Sequence, residues 1–145
     1  MAPVVAALHF ILAFTLVACL AIELALLRAQ AERIHFSTLA KVDALYGASA
    51  GLLLLVGLYR ATHFEKGWAY YAHSGPFLIK LALFALIAVL SIYPTVKFFQ
   101  ARRGDVQLAH ATLNRIRKIV LLELMLVGVL IVCASYAAKG IGVVT

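Results

Sequence analysis

The chain has 145 residues, the length of one ordinary domain, but 65 % of them are hydrophobic and 13 % are charged. Typical globular domains are about 45–50 % apolar and ~25 % charged. A soluble domain of this length buries only ~70 % of its unfolded surface and could not hide so much apolar side chain. Disordered chains are excluded too, because they are poor in apolar residues. We therefore expect an all-α integral membrane protein with the lipid bilayer as its partner.

The chain carries 13 Lys and Arg against 6 Asp and Glu, a net charge of +7. In a soluble protein this excess would indicate nucleic-acid binding. In a membrane protein it is typical of cytoplasmic loops, so we expect no nucleic-acid partner. The two cysteines, Cys19 and Cys133, lie in apolar runs and fit no CxxC or disulfide framework. They are interpreted as small buried hydrophobic residues.

Four apolar runs are long enough to cross a hydrocarbon core, which takes roughly 20 helical residues. They cover about residues 4–27, 42–59, 77–96 and 119–138. The first run has no Lys or Arg before it and no small-residue cleavage site after it, so it is interpreted as a retained span. Since the connections are short, residues 1–145 are predicted to form a single four-helix bundle. Gly47 and Gly51 form a GxxxG pattern in the second span, which predicts close packing inside the bundle.

The basic residues predict the orientation of the bundle. The loops between spans one and two and between spans three and four carry nine Lys and Arg, whereas the opposite side carries three. By the positive-inside rule, we expect a multi-pass protein of the inner (plasma) membrane with both termini on the outer (periplasmic) side. Trp68, Tyr70 and Tyr71 are interpreted as an outer aromatic belt, and Tyr46 and Tyr93 as the inner one. Residues 104–118 are predicted to extend the fourth helix, with a basic stripe near anionic lipid.

Ionisable residues at membrane depth cost roughly 2.5–3.5 kcal/mol, so each is a functional candidate. By depth, an outer polar layer holds His9, Lys80, Tyr59, Arg60 and Tyr136. In one interpretation His9 is a hydrogen-bonded bundle residue, and Lys80 extends its ammonium to the interface. In the other, His9 is an axial ligand of haem b and Lys80 is a second ligand or a propionate partner, with the remaining three lining the site.

A second polar layer is expected at the inner side. Glu23 and Glu123 each lie four residues from the inner end of their spans, with Asp43 nearby. We expect the two glutamates to pair with Arg or Lys and fix helix packing; the alternative is a proton relay. His63, Glu65 and His73, in or beside the loop between the second and third spans, match no closed zinc site, and solvated side chains are expected there.

Residues 43–71 and 76–99, which include FEKGWAYY and LSIYPT, resemble an uncharacterised bacterial family of small four-span membrane proteins. That family is similar in layout to the copper-resistance-D membrane proteins and the haem-containing membrane protoporphyrinogen oxidases. The resemblance implies that His9 and Lys80 match a first-span His and a third-span Lys that matter for haem binding in the oxidases. The residues before Lys80 depart from the oxidase pattern: Pro76-Phe-Leu-Ile79 stands in place of Trp-Leu-His-Val.

Three functional hypotheses follow. The first is a b-type haem-binding redox protein or electron carrier with its site in the outer half of the bundle. The second is a cofactor-free small transporter or assembly subunit, whose partner is a second copy of the chain or a larger membrane complex. The third is an oxidoreductase acting on porphyrin, or an enzyme of copper chemistry, which the scarcity of Met and His ligands disfavours.

Overall fold

The computed structural model describes residues 2–28, 34–63, 73, 75–104 and 107–139. They contain four long helices: α1 (Ala2–Arg28), α2 (Phe36–His63), α3 (Gly75–Arg102) and α4 (His110–Ala138). Each helix is long and apolar enough to cross a membrane. The predicted all-α, four-span fold is thus confirmed. The helix preceding the fourth span, predicted within residues 104–118, is confirmed from His110 onward.

Proline and glycine explain where α3 begins and ends. Pro76 is the second residue of the helix, where its missing N–H costs no intrahelical bond. At the other end, Gly104 has a φ of 76°, a left-handed conformation that glycine adopts without strain. Its N–H donates to the carbonyl oxygen of Ala101 at 3.2 Å, closing the last turn. Pro94 lies inside the helix and is buried.

The helices form a ring in chain order. α1 packs mainly against α2 and α3 mainly against α4, while α1–α4 and α2–α3 contacts close the ring. We call the end at which α1 and α3 finish and α2 and α4 begin the basic end, because it carries most of the cations. Most fully buried apolar side chains lie in that half, namely Leu20, Leu27, Leu39, Phe98, Ile116 and Val120.

Large apolar side chains cover the outside of the bundle, as a lipid solvent requires. Phe14 is 74 % exposed and Leu55, Val89 and Met125 are each 64 % exposed. Leaving such a side chain exposed to water costs about 1.5–3 kcal/mol relative to burying it. Contact with hydrocarbon tails has no such cost, because the tails are themselves apolar. The exposed apolar surface therefore supports the membrane environment that the composition predicted.

The prediction for the GxxxG pattern is wrong. Gly47 and Gly51 are exposed, and a Cβ atom added at either position would meet no atom within 4 Å. No neighbouring helix therefore approaches α2 closely at these glycines among the described residues. Cys19 is buried as predicted, whereas Cys133 is half-buried, and both thiols are free. Trp68, Tyr70 and Tyr71 lie outside the described residues, so the outer aromatic belt stays a prediction, as does the orientation.

Candidate functional site

Three carboxyl groups from three helices converge in the basic half of the bundle. Glu23 on α1 and Glu123 on α4 are each 1 % exposed, and Asp43 on α2 is 3 % exposed. Electrostatic interactions link all three. We call them the acid cluster, and they include half of the chain's 6 acidic residues. The predicted inner polar layer is thus present, with its carboxyl groups facing the bundle interior.

The hydrogen-bond partners of the acid cluster are few. Thr95 on α3 donates from its hydroxyl to Asp43 Oδ1 at 2.9 Å. Glu23 Oε1 and Glu123 Oε1 are both buried, and no group in the described part of the chain forms a hydrogen bond with either oxygen. These two oxygens differ from most buried polar atoms, since native structures leave very few unsatisfied.

The predicted pairing of the glutamates with Arg or Lys stays a prediction. Arg117, one of the cations expected near them, donates from Nε to the carbonyl oxygen of Leu27 and from Nη1 to Asn114 Oδ1. These bonds hold its guanidinium at the end of α1, where the last carbonyl groups have no intrahelical partner.

Tyr46 is a site residue that sequence reasoning placed incorrectly. It is 4 % exposed and lies inside the bundle, not in an interfacial belt. Its phenol lies close to the Ser91 hydroxyl on α3, which itself donates to the carbonyl oxygen of Ala88 at 2.8 Å, and it is within electrostatic range of all three acidic side chains. The sequence feature that indicates this position is the spacing from Asp43. Tyr46 follows Asp43 by three residues, which puts both side chains on one face of α2.

A largely apolar chamber of about 330 Å³ lies beside the acid cluster, toward the opposite end of the bundle. All four helices line it, and its polar side chains are Tyr46 and Ser91. The lining residues include Ala13, Leu16, Ala50, Leu53, Phe84, Ile87, Val127 and Leu130. Thr95 is four residues from Ser91, and Glu123 is four residues from Val127. Both therefore lie about one helical turn, or ~5.4 Å, from the chamber lining on the side of the basic end. Tyr46 and Ser91 thus form a polar floor between the chamber and the carboxyl groups.

The chamber reaches the surface of the bundle through small residues on α2 and α3. Gly47, Gly51 and Ala88 line the chamber, and all three are exposed. On this side the chamber is therefore lined by small residues that are themselves exposed on the outside of the bundle.

His9 and Lys80 lie in one layer near the opposite end. The His9 ring packs on Gly57 of α2, where an added Cβ would lie 3.3 Å from His9 Cε1. Tyr46 on α2 lies beside Ser91 on α3, and the two helices run antiparallel. Gly57 comes eleven residues after Tyr46 and Lys80 comes eleven residues before Ser91, so both lie at a similar depth toward the opposite end. At ~1.5 Å per residue, both positions are about 16 Å from the chamber floor.

The other predicted cofactor residues lie outside the chamber. Tyr59 is 48 % exposed and stacks on His63 with ring centroids 4.6 Å apart. Tyr136 is 52 % exposed. Arg60, His9 and Lys80 are half-buried. None of the five predicted cofactor residues lines the chamber. A shared cofactor site of these residues therefore stays a prediction.

Comparison with known protein families identifies the kind of protein. Residues 2–142 match the family described as "Predicted membrane protein (DUF2214)". The chain belongs to this family. No curated protein and no solved structure matches it. The DUF2214 assignment agrees with the four apolar helices and describes no activity, so the chemistry has to be argued from the site.

In this DUF2214 protein, the described residues contain no group of three His, Cys, Asp or Glu able to hold a metal ion. His63 and His73 are exposed, as expected for solvated side chains, and Glu65 lies outside the described residues. The groups gathered at the acid cluster are carboxyls, a phenol and two hydroxyls, all of which can take part in hydrogen bonds.

Proposed function

We propose that this DUF2214 protein is a small proton-coupled membrane carrier. The acid cluster binds and releases the proton, and the adjoining chamber holds the carried molecule. One observation carries the proposal: Glu23 Oε1 and Glu123 Oε1 are buried at membrane depth and have no hydrogen-bond partner among the described residues. A carboxylate in that position is stabilised by binding a proton or another cation.

Physical chemistry supports the proton as the coupling ion. The third carboxyl, on Asp43, lies within electrostatic range of both glutamates, and like charges in one site favour taking up a proton. Tyr46 and Ser91 connect the acid cluster to the chamber through groups that both donate and accept hydrogen bonds. A proton on the acid cluster would thus change the charge directly behind the chamber floor.

Infrared difference spectroscopy during a pH jump tests the proton-binding step. We expect a protonated-carboxyl C=O band in the wild-type protein that weakens in Glu23→Gln and Glu123→Gln. Glu65→Gln removes the same charge from the connection between α2 and α3 and is the matched control. The proposal is overturned if the wild-type band is absent, or if all three variants retain it unchanged.

Haem b is the second candidate, and the shared layer of His9 and Lys80 supports it. Among the described residues, the chamber lining contains no His, Lys, Cys or Met, so these residues supply no usual nitrogen or sulfur ligand for iron. The haem would therefore lie in the His9–Lys80 layer, with the His9 imidazole as axial ligand and Lys80 as second ligand or propionate partner. Bound haem would supply electron-transfer or porphyrin chemistry.

An optical spectrum of detergent-purified protein, expressed with haem available, tests this second candidate. We expect a Soret band in the wild type and in Glu123→Gln, and its loss in His9→Ala. A wild-type protein without a Soret band would rule haem out. Analytical ultracentrifugation of the same sample would test for a homo-oligomer, and co-purification from membranes would test for a larger complex.

A further inference from the structure

The chamber combines apolar walls with an acidic floor. Its polar lining side chains are the Tyr46 phenol and the Ser91 hydroxyl, and both lie on the side facing the acid cluster. Asp43, Thr95 and Glu123 follow about one helical turn beyond this floor. The lining residues that the structure describes include no Lys, Arg or His. A ligand in the chamber therefore meets hydrocarbon on most sides and negative or acceptor groups on one.

The size of the chamber limits the ligand. An apolar cavity of about 150 Å³ is sufficient to bind benzene, and drug-sized sites begin near ~300 Å³. The chamber, at about 330 Å³, is therefore suited to a compact hydrocarbon body carrying a single polar group. A long acyl chain or a bulky macrocycle would exceed it.

We infer that the chamber binds a compact apolar amine as its ammonium form. The hydrocarbon body fills the chamber, and the ammonium donates hydrogen bonds to Tyr46 and Ser91 while facing the acid cluster. This inference rests on the proposed carrier function and names its substrate class. Charge complementarity selects the cation, because an anion would face three carboxyl groups and a neutral alcohol would gain no electrostatic attraction.

Binding of the amine and release of the proton are coupled through charge. An ammonium at the floor supplies the positive charge that the acid cluster otherwise takes from a proton. A neutral amine that enters from the bilayer takes the proton of the acid cluster, so an O–H bond breaks, an N–H bond forms and the net charge of the bundle interior is unchanged. The exposed small residues Gly47, Gly51 and Ala88 give a membrane-dissolved amine its route to the chamber.

Isothermal titration calorimetry with three adamantane derivatives of nearly equal shape tests the inference. The probes are adamantylamine, adamantanol and adamantane carboxylate, titrated into the detergent-purified full chain. We expect the amine to bind at least about tenfold more tightly than the alcohol, and the carboxylate not to bind. Equal binding of amine and alcohol, or a preference for the carboxylate, would overturn it.

Two variants locate the bound amine. Glu123→Gln keeps the side-chain volume and should weaken adamantylamine binding about tenfold or more, whereas Glu65→Gln should not. Ala50→Leu fills part of the chamber and should abolish amine binding, with folding checked by its thermal transition. Amine binding that survives in folded Ala50→Leu protein contradicts the site.

The inference and the carrier proposal fail in different ways. A wild-type infrared proton signal without amine binding overturns the substrate class and leaves the proton step intact. Amine binding that depends on Glu123 without any infrared proton signal supports the chamber site and overturns proton coupling.

Discussion

The Thr95 hydroxyl donates a hydrogen bond of 2.9 Å to the Asp43 carboxylate, and this bond joins α3 to α2 inside the bundle. These two helices make fewer contacts with each other than α1 makes with α2. The bond therefore contributes to closing the ring at a sparsely packed seam. It also holds Asp43 in place, in contrast to the two glutamates, each of which has one oxygen with no hydrogen-bond partner in the described ranges.

Replacing Thr95 with valine should destabilise the bundle by about 1–3 kcal/mol, the cost of a buried hydrogen bond to a charged or polar acceptor. Valine keeps the shape of threonine but leaves Asp43 Oδ1 without this donor. Thermal unfolding of the detergent-purified protein measures the change.

The matched control is Thr15→Val. The Thr15 hydroxyl donates to the carbonyl oxygen of Ile11 in its own helix, which already accepts a helical bond. Its removal should cost little. Equal melting temperatures for the two variants would show that the Asp43–Thr95 bond does not stabilise the α2–α3 seam.

The close contact between His9 and Gly57 predicts opposite effects of the same substitution at two glycines of α2. Glycine-to-alanine changes inside helices gain about 0.8–1.0 kcal/mol from propensity. Gly51→Ala should show this gain, because its Cβ meets no atom within 4 Å. Gly57→Ala should show less gain or a loss, because its Cβ would lie 3.3 Å from His9 Cε1.

A double-mutant cycle attributes the difference to His9. In a His9→Ala background the ring is gone, so Gly57→Ala should recover the gain seen at Gly51. Thermal unfolding of the wild type, the two single variants and the double variant gives the coupling free energy between positions 9 and 57. An unchanged effect of Gly57→Ala in that background would mean that the imidazole does not pack on Gly57.

The sequence predicted the elements of this protein better than their contacts. Apolar run length sets the number of spans, and the polar residues Glu23, Asp43 and Glu123 stand out because charge inside a span is costly. Helix order and rotation depend on side-chain packing across the bundle, which no single run encodes. The sequence pattern alone therefore favours the interface for Tyr46 and close packing for Gly47 and Gly51, and it gives no signal for Thr95.

Arg117 is predicted to anchor the end of α1. Its Nε donates to the carbonyl oxygen of Leu27, one of the last-turn carbonyls of α1 that have no intrahelical partner. Arg117→Leu should cost about 1–2 kcal/mol and speed hydrogen exchange in the last turn of α1. Arg115→Leu, at an exposed position two residues earlier, is the control and should leave that exchange unchanged. Equal exchange in both variants would argue against the anchor.

The two cysteines test the packing of the bundle without any engineered label. Cys19 is 3 % exposed in the core cluster, whereas Cys133 is half-buried. In folded, detergent-purified protein, N-ethylmaleimide should modify Cys133 first and reach Cys19 only on unfolding, because a thiol must be accessible to react. Mass spectrometry of the single-cysteine variants Cys19→Ala and Cys133→Ala gives the two rates separately. Rapid modification of Cys19 in the folded protein would contradict the burial of this face of α1 against its neighbours.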